Sequence, residues 1–317
     1  MRNSLGRHSA RIADYWLERS PESCIVFRTK SQELLGIGCM LTLGEFRDED
    51  VEFDPAIQAA WRFVEANGPL RPGEVMMLTR FGMDIHGRQD NGQIANMLAL
   101  AFTTYILTQP NLAWSFLVTP IPEFWHATWV YLNQFRSPEA DYEVDGIHFA
   151  VYTHDWRAET ALEWLETMGH RETDTELRLE SLESARPAPI VVLSESAFRD
   201  AVRQALRDFT RPGSLRKNPL MRSRLIAGDT HEHDDSGELQ ALIQQAAETL
   251  RGNPREERFY RAIHRTYFEP APSQEAAAEA LDLPFSTYRY HLGKGIERIT
   301  ECLWERELDP GSHAPES

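Results

Sequence analysis

Residues 272–292 carry a capping serine, Ser273, then the alanine-rich run of Ala276, Ala277, Ala278 and Ala280. A break follows at Asp282, Leu283 and Pro284, and a second polar start at Ser286. Alanine is the best helix former, serine caps helix starts, and proline is tolerated only near a helix edge. The segment therefore predicts a short helix, a tight turn and a second helix, the order of a helix-turn-helix. Small alanines let the two helices cross closely, with Leu283 as an apolar plug in the turn.

The second helix divides by spacing. Tyr288, Leu292, Ile296, Ile299 and Leu303 recur at helical intervals and are expected to face inward. That leaves Ser286, Thr287, Arg289, Tyr290, Lys294 and Arg298 as the candidate DNA-binding set. Ser286 and Thr287 can donate to phosphate oxygens at the helix start, while Arg289 and Tyr290 lie where recognition helices reach base edges. The same hairpin would also suit dimer or domain packing. Gly293 and Gly295 interrupt the expected helix, each costing roughly 1 kcal/mol against alanine.

Residues 273–299 resemble region 4 of sigma-70-type factors and the LuxR-like helix-turn-helix. Leu281, Leu283 and the Tyr288/Leu292/Ile296 seam carry the likeness, while Pro284 and Phe285 replace the usual small polar turn residues. The resemblance implies DNA binding and transcription regulation of a bacterial type. One helix-turn-helix rarely suffices for specific affinity, so a homodimer or a partner subunit is expected.

At 317 residues and 42% apolar composition the chain has material for two cored domains. No apolar run approaches the ~18 residues that span a bilayer, so no membrane association is expected. Cys24, Cys39 and Cys302 are odd in number and lack metal-ligand spacing; a reduced cytoplasm fits them, as buried or incidental thiols with no metal site. The formal charge of −16 argues against indiscriminate coating of nucleic acid. Charge is uneven, however: residues 198–225 hold a basic cluster that includes Arg199, Arg203 and Arg207, opposed only by Asp200 and Asp208.

Strand-like runs at 24–29, 35–43, 74–81, 113–119 and 147–152 interleave with helical ones at 55–66, 92–107 and 123–136. The expected fold class is α+β: a mixed central sheet flanked by helices, followed by an all-α helix-turn-helix domain. The expected domains are 1–168, an acidic and proline-rich connector 169–193, a basic helical segment 194–228 opened by Ser194, a polar linker 229–237, a helical domain 238–308 and a disordered tail 309–317. His231, Glu232, His233, Asp234 and Asp235 in the linker read as a hinge, not a metal site. Near 154–157, Asp155 and Arg157 are expected to pair at a strand end.

The order of elements over about 11–168 resembles the GNAT, or Gcn5-related N-acetyltransferase, fold. In that family a loop after a central strand holds the pyrophosphate of acetyl-CoA at a helix start. The resemblance places Gly87, Arg88, Asn91 and Gly92 as the cofactor loop, with Tyr131 or Tyr152 as general acid and Glu123 or His126 as base. Arg88 is followed by Asn91 and Gln93 where the family carries glycine and glycine or alanine, and Asp84 and Asp90 bring negative charge to the loop. The expectation is no bound cofactor, with acetyl-CoA the one candidate. The whole also resembles the C-terminal module of some large bacterial ATPases, without the ATPase: no Gly-x-x-x-x-Gly-Lys-Ser/Thr segment occurs. The reading is a DNA-binding regulator with a sensing GNAT-like domain. An acyl-CoA-dependent N-acyltransferase and a protein-interaction adaptor are the alternatives.

Overall fold

The computed structural model describes residues 6–89, 92–174, 177–184, 190–227 and 236–308. The candidate Asn91, the acidic Asp90, the 231–235 cluster and the tail 309–317 lie outside them. The chain divides into two compact units, Met1–Ala188 and Pro189–Ser317.

The first unit runs α1 (Gly6–Arg19), β1 (Cys24–Arg28), β2 (Leu34–Leu43), α2 (Asp48–Phe53), α3 (Pro55–Asn67), β3 (Val75–Asp84) and α4 (Gly92–Thr108). It continues with β4 (Leu112–Thr119), α5 (Pro122–Tyr131), β5 (Phe135–Arg136), β6 (Tyr142–Val144), β7 (Ile147–Asp155), α6 (Ala161–Thr173) and α7 (Leu179–Ser184). The fold is α+β. Its 7-stranded sheet has the order β1-β2-β3-β4-β7-β5, with β6 also on β7. Among the described residues only β3 and β4 pair in parallel; every other pairing there is antiparallel.

Alternation along the strands loads both faces, since successive side chains point oppositely. Leu41, Met76, Leu78 and Phe116 pack with Ile12 and Trp16 of α1 and Ile57 and Val64 of α3. Met40, Met77 and Leu117 pack on the other face with Phe102 of α4, Trp129 of α5 and Trp164 of α6. Helix α3 starts where Asp54 accepts from the Ala56 amide at 3.0 Å with Pro55 next, a preorganised helix start. Helix α6 opens on a capping box between Thr160 and Glu163.

The expected helix 123–136 is two elements. α5 stops at Tyr131, Asn133 takes φ 59, and 135–136 return as β5 against β7. The continuous apolar pattern concealed that break. Asp155 and Arg157 pair as expected, with Nε to Oδ1 at 2.8 Å and Nη2 to Oδ2 at 2.9 Å.

The second unit is helical in its described residues: α8 (Glu195–Arg207), α9 (Pro212–Leu215), α10 (Arg224–Ala227), α11 (Ser236–Glu248), α12 (Glu257–Ile263), α13 (Gln274–Ala280) and α14 (Phe285–Leu308). Phe198, Val202, Leu239, Ile243, Ile263, Tyr288, Ile299 and Leu303 form one core, with α14 as its long central member.

Candidate functional site

The C-terminal unit builds a helix pair from local chemistry. Ser273 Oγ accepts from the Ala276 amide at 3.2 Å and opens α13. The helix then closes in a Schellman turn. The Leu283 amide donates to Ala278 O at 3.0 Å and the Asp282 amide to Glu279 O at 2.9 Å, with Asp282 at φ 52 in place of the usual glycine. Leu283 is half-buried and joins the core, and α14 starts two residues later.

Tyr288, Leu292, Ile299 and Leu303 are buried on α14, and the Tyr288 hydroxyl bonds Thr266 Oγ1. Ile296 is half-buried at the edge of the same seam. The helix runs unbroken through both glycines. At Gly295 a Cβ would stand 2.7 Å from Ile263 Cγ1 and 3.2 Å from Phe259 O, so this glycine lets α12 lie against α14. Gly293 meets open space. Their role is close approach at one position and an uncovered surface at the other, not interruption.

Ser286, Arg289 and Tyr290 are exposed, and Thr287 is half-buried. With Gly293 they follow steps of three and four along one side of the helix. No acidic residue lies in the first turn of α14, so nothing there opposes an anion at the positive helix end. Arg289 has no ion-pair partner among the described residues. The other two basic candidates are paired. Lys294 Nζ lies 2.6 Å from Glu297, which raises the Lys294 pKa, and Arg298 is held by Glu256 and Glu301, each at 2.9 Å. On α8, Arg199 and Arg203 pair with Glu195 and Asp200 and line a groove beside Gly293, Ile296 and Trp304.

The N-terminal unit offers a cavity of about 400 Å³ where β3 and β4 part. The two strands pair only over 75–79 and 112–117. On its other side β3 breaks register with β2: Met40 faces Thr79 and Cys39 faces Phe81, leaving Arg80 as the extra residue of a bulge. A bulge bends its strand, so β3 follows β2 while β4 continues with β7. At the fork Thr79 Oγ1 donates to Phe116 O at 3.2 Å and accepts from the Val118 amide at 3.3 Å, a side chain completing the last rung. Phe102, Leu117, Phe124, Trp125 and Trp129 give the cavity apolar walls, with Thr79, Gln89, Asn96 and Thr128 as polar points.

Gly92 lines this cavity, whereas Gly87 and Arg88 of the expected cofactor loop wrap an anion of the chain's own. Asp84 Oδ1 accepts from the amides of His86 (2.8 Å) and Arg88 (2.9 Å), and Oδ2 accepts from Arg88 Nε at 2.8 Å. Gly87 turns the loop at φ 79 between them. The chain's own carboxylate thus takes two loop amides and the Arg88 guanidinium.

None of Glu123, His126, Tyr131 and Tyr152 lines the cavity. The structure does bring two of them together elsewhere: the Tyr152 hydroxyl is 3.0 Å from His126 Nδ1, and His126 Nε2 is 2.6 Å from Glu183 of α7. Tyr152 is buried against Trp129, and burial raises its pKa. Glu123 is exposed in the first turn of α5, and Tyr131 gives its carbonyl to Arg171. Thr79 and Arg80, which form the fork, carry no spacing signal that a single sequence reveals.

Among the described residues no helix is long and apolar enough to cross a membrane, and no group of three or more His, Cys, Asp or Glu is placed to hold a metal ion. The chain matches no protein-family model and no curated protein.

Proposed function

We propose that the chain is a DNA-binding regulatory protein. Its C-terminal unit reads a duplex with the start of α14, and its N-terminal unit takes a small ligand into the β3/β4 cavity. The observation that carries the reading is the division of α14: Tyr288 and Leu292 are buried, while Ser286, Arg289 and Tyr290 beside them stay uncovered. A face of hydroxyl, guanidinium and phenol at a helix start suits phosphate and base edges alike. The parallel pair that opens into a cavity supports keeping the GNAT-like likeness, as a binding domain. Asp84 in the loop and the absence of the four acid–base candidates from the cavity favour sensing over acyl transfer. A homodimer or a partner subunit would supply the second half-site.

Selection from random duplexes at fixed salt, followed by Arg289→Ala, tests the reading. A preferred sequence should emerge, and the variant should lose about 1–3 kcal/mol at one base position. Equal binding to every duplex, or none at low salt, would sink the proposal and favour the adaptor.

A further inference from the structure

Two of the three cysteines meet across the sheet edge. Cys24 on β1 stands directly opposite Cys39 on β2, and their Sγ atoms are 3.4 Å apart as free thiols. Opposed residues of an antiparallel pair have Cα atoms about 4.5–5.5 Å apart, within the span of about 4.4–6.8 Å that a disulfide bridges. Closure therefore asks for side-chain rotation and no movement of a strand. The two sulfurs differ in access: Cys24 is half-buried at the start of the edge strand, whereas Cys39 is fully buried in the core.

We propose that Cys24 and Cys39 form a dithiol site that hydrogen peroxide oxidises to a cross-strand disulfide. Cys24 is the sulfur that meets the oxidant. Its Sγ attacks peroxide, the O–O bond breaks, one water leaves, and Cys24 becomes a sulfenic acid. Cys39 Sγ then attacks Cys24 Sγ. The S–O bond breaks, the departing oxygen takes the Cys39 proton, and a second water leaves. One peroxide is reduced to two waters while two thiols become one disulfide. Burial pushes the Cys39 thiol up, which keeps it protonated until a sulfenic acid forms in contact with it. Within reduced compartments such disulfides are typically transient and redox-sensing. The site stands independently of DNA binding.

The test uses the full chain. After exposure to hydrogen peroxide, free thiols are blocked with N-ethylmaleimide and the protein is digested with trypsin without reduction. Cleavage at Arg28 and Lys30 separates the two cysteines. The expected result is a linked pair of peptides, lighter by two hydrogens than their sum and parted by dithiothreitol, with Cys302 recovered as its maleimide adduct. In Cys39→Ala, Cys24 should instead accumulate as a sulfenic acid that dimedone traps; if that variant does not fold, the wild-type peptide map decides. Recovery of Cys24 as a maleimide adduct, its over-oxidation without linkage, or its linkage to any sulfur other than Cys39 overturns the proposal.

Discussion

Arg80 Nε lies 2.8 Å from Asp54 Oδ2, and both side chains are completely buried. The same Asp54 oxygen accepts from Trp16 Nε1 at 2.8 Å, while its partner oxygen caps α3. One carboxylate therefore joins α1, α3 and the bulge that parts β3 from β4. The Arg80 guanidinium also lies over the rings of Phe81 and Tyr142. Removing one partner leaves a buried charge uncompensated, which is far costlier than the pair's net contribution.

Asp54→Ala should accordingly destabilise the N-terminal unit by about 3–5 kcal/mol. Urea unfolding followed by tryptophan fluorescence measures it, since Trp16 touches the pair. Arg80→Met, which removes the charge yet keeps much of the side-chain length, should cost about as much because Asp54 is then the orphan. A loss below about 1 kcal/mol in both would show the pair to be solvated, contrary to its burial.

Much of this architecture was legible because its signals are local. The seam of Tyr288, Leu292, Ile299 and Leu303 declares itself by helical spacing, and Asp155 and Arg157 sit two residues apart. Asp54 and Arg80 are 26 residues apart on different elements, and no pattern in either neighbourhood announces the other. Asp84 was misleading in sign: its charge reads as a repulsion for an anion, whereas it folds back to become the loop's anion. Strand β6 is three residues long with only Tyr142 and Val144 buried, too short for a periodicity to rise above its turns.

Acetyl-CoA should leave the melting temperature of the wild-type protein unchanged. A ligand selective for the native state stabilises it by mass action, and here the Asp84 carboxylate competes at the amides of His86 and Arg88. Asp84→Asn, which keeps the shape but not the charge, should allow inorganic pyrophosphate to raise the melting temperature where the wild type shows no response. A rise in the wild type with acetyl-CoA would return the cavity to the acyltransferase reading.

The two glycines of α14 should respond oppositely to alanine. Gly293→Ala adds a methyl to open space and gains helix propensity, so it should stabilise the C-terminal unit by roughly 0.5–1 kcal/mol. Gly295→Ala drives a Cβ toward Ile263 and the Phe259 carbonyl, and overpacking of this kind costs about 1–3 kcal/mol. Thermal unfolding of the two variants side by side separates the effects.

If α14 reads DNA, Glu297 restrains it. Its carboxylate holds Lys294 at 2.6 Å, so the lysine cannot neutralise a phosphate without leaving that partner. Glu297→Gln should tighten binding and steepen the slope of log K against log salt by about 0.9, the value of one added phosphate contact. Fluorescence anisotropy across a salt series reads both. An unchanged slope would place Lys294 away from the backbone of the duplex.

His154 should make the N-terminal unit sensitive to acid. It is buried beside Trp156, with Nδ1 2.8 Å from Asn133 O and Nε2 3.4 Å from Glu159. Burial lowers its pKa below the ordinary 6.5; Glu159, the Asn133 carbonyl and Asp155 pull the other way without overcoming it. Because the folded state binds this proton less readily than the unfolded chain, the contribution is complete above 6.5 and is lost as pH falls through that value toward the folded pKa. His154→Gln keeps a donor for Asn133 O but cannot titrate there. Its urea midpoint should therefore fall less than the wild type's when pH is taken from above 6.5 to below it. Parallel declines in the two proteins would mean that His154 accepts its proton without cost in the folded state, as an imidazolium paired to Glu159.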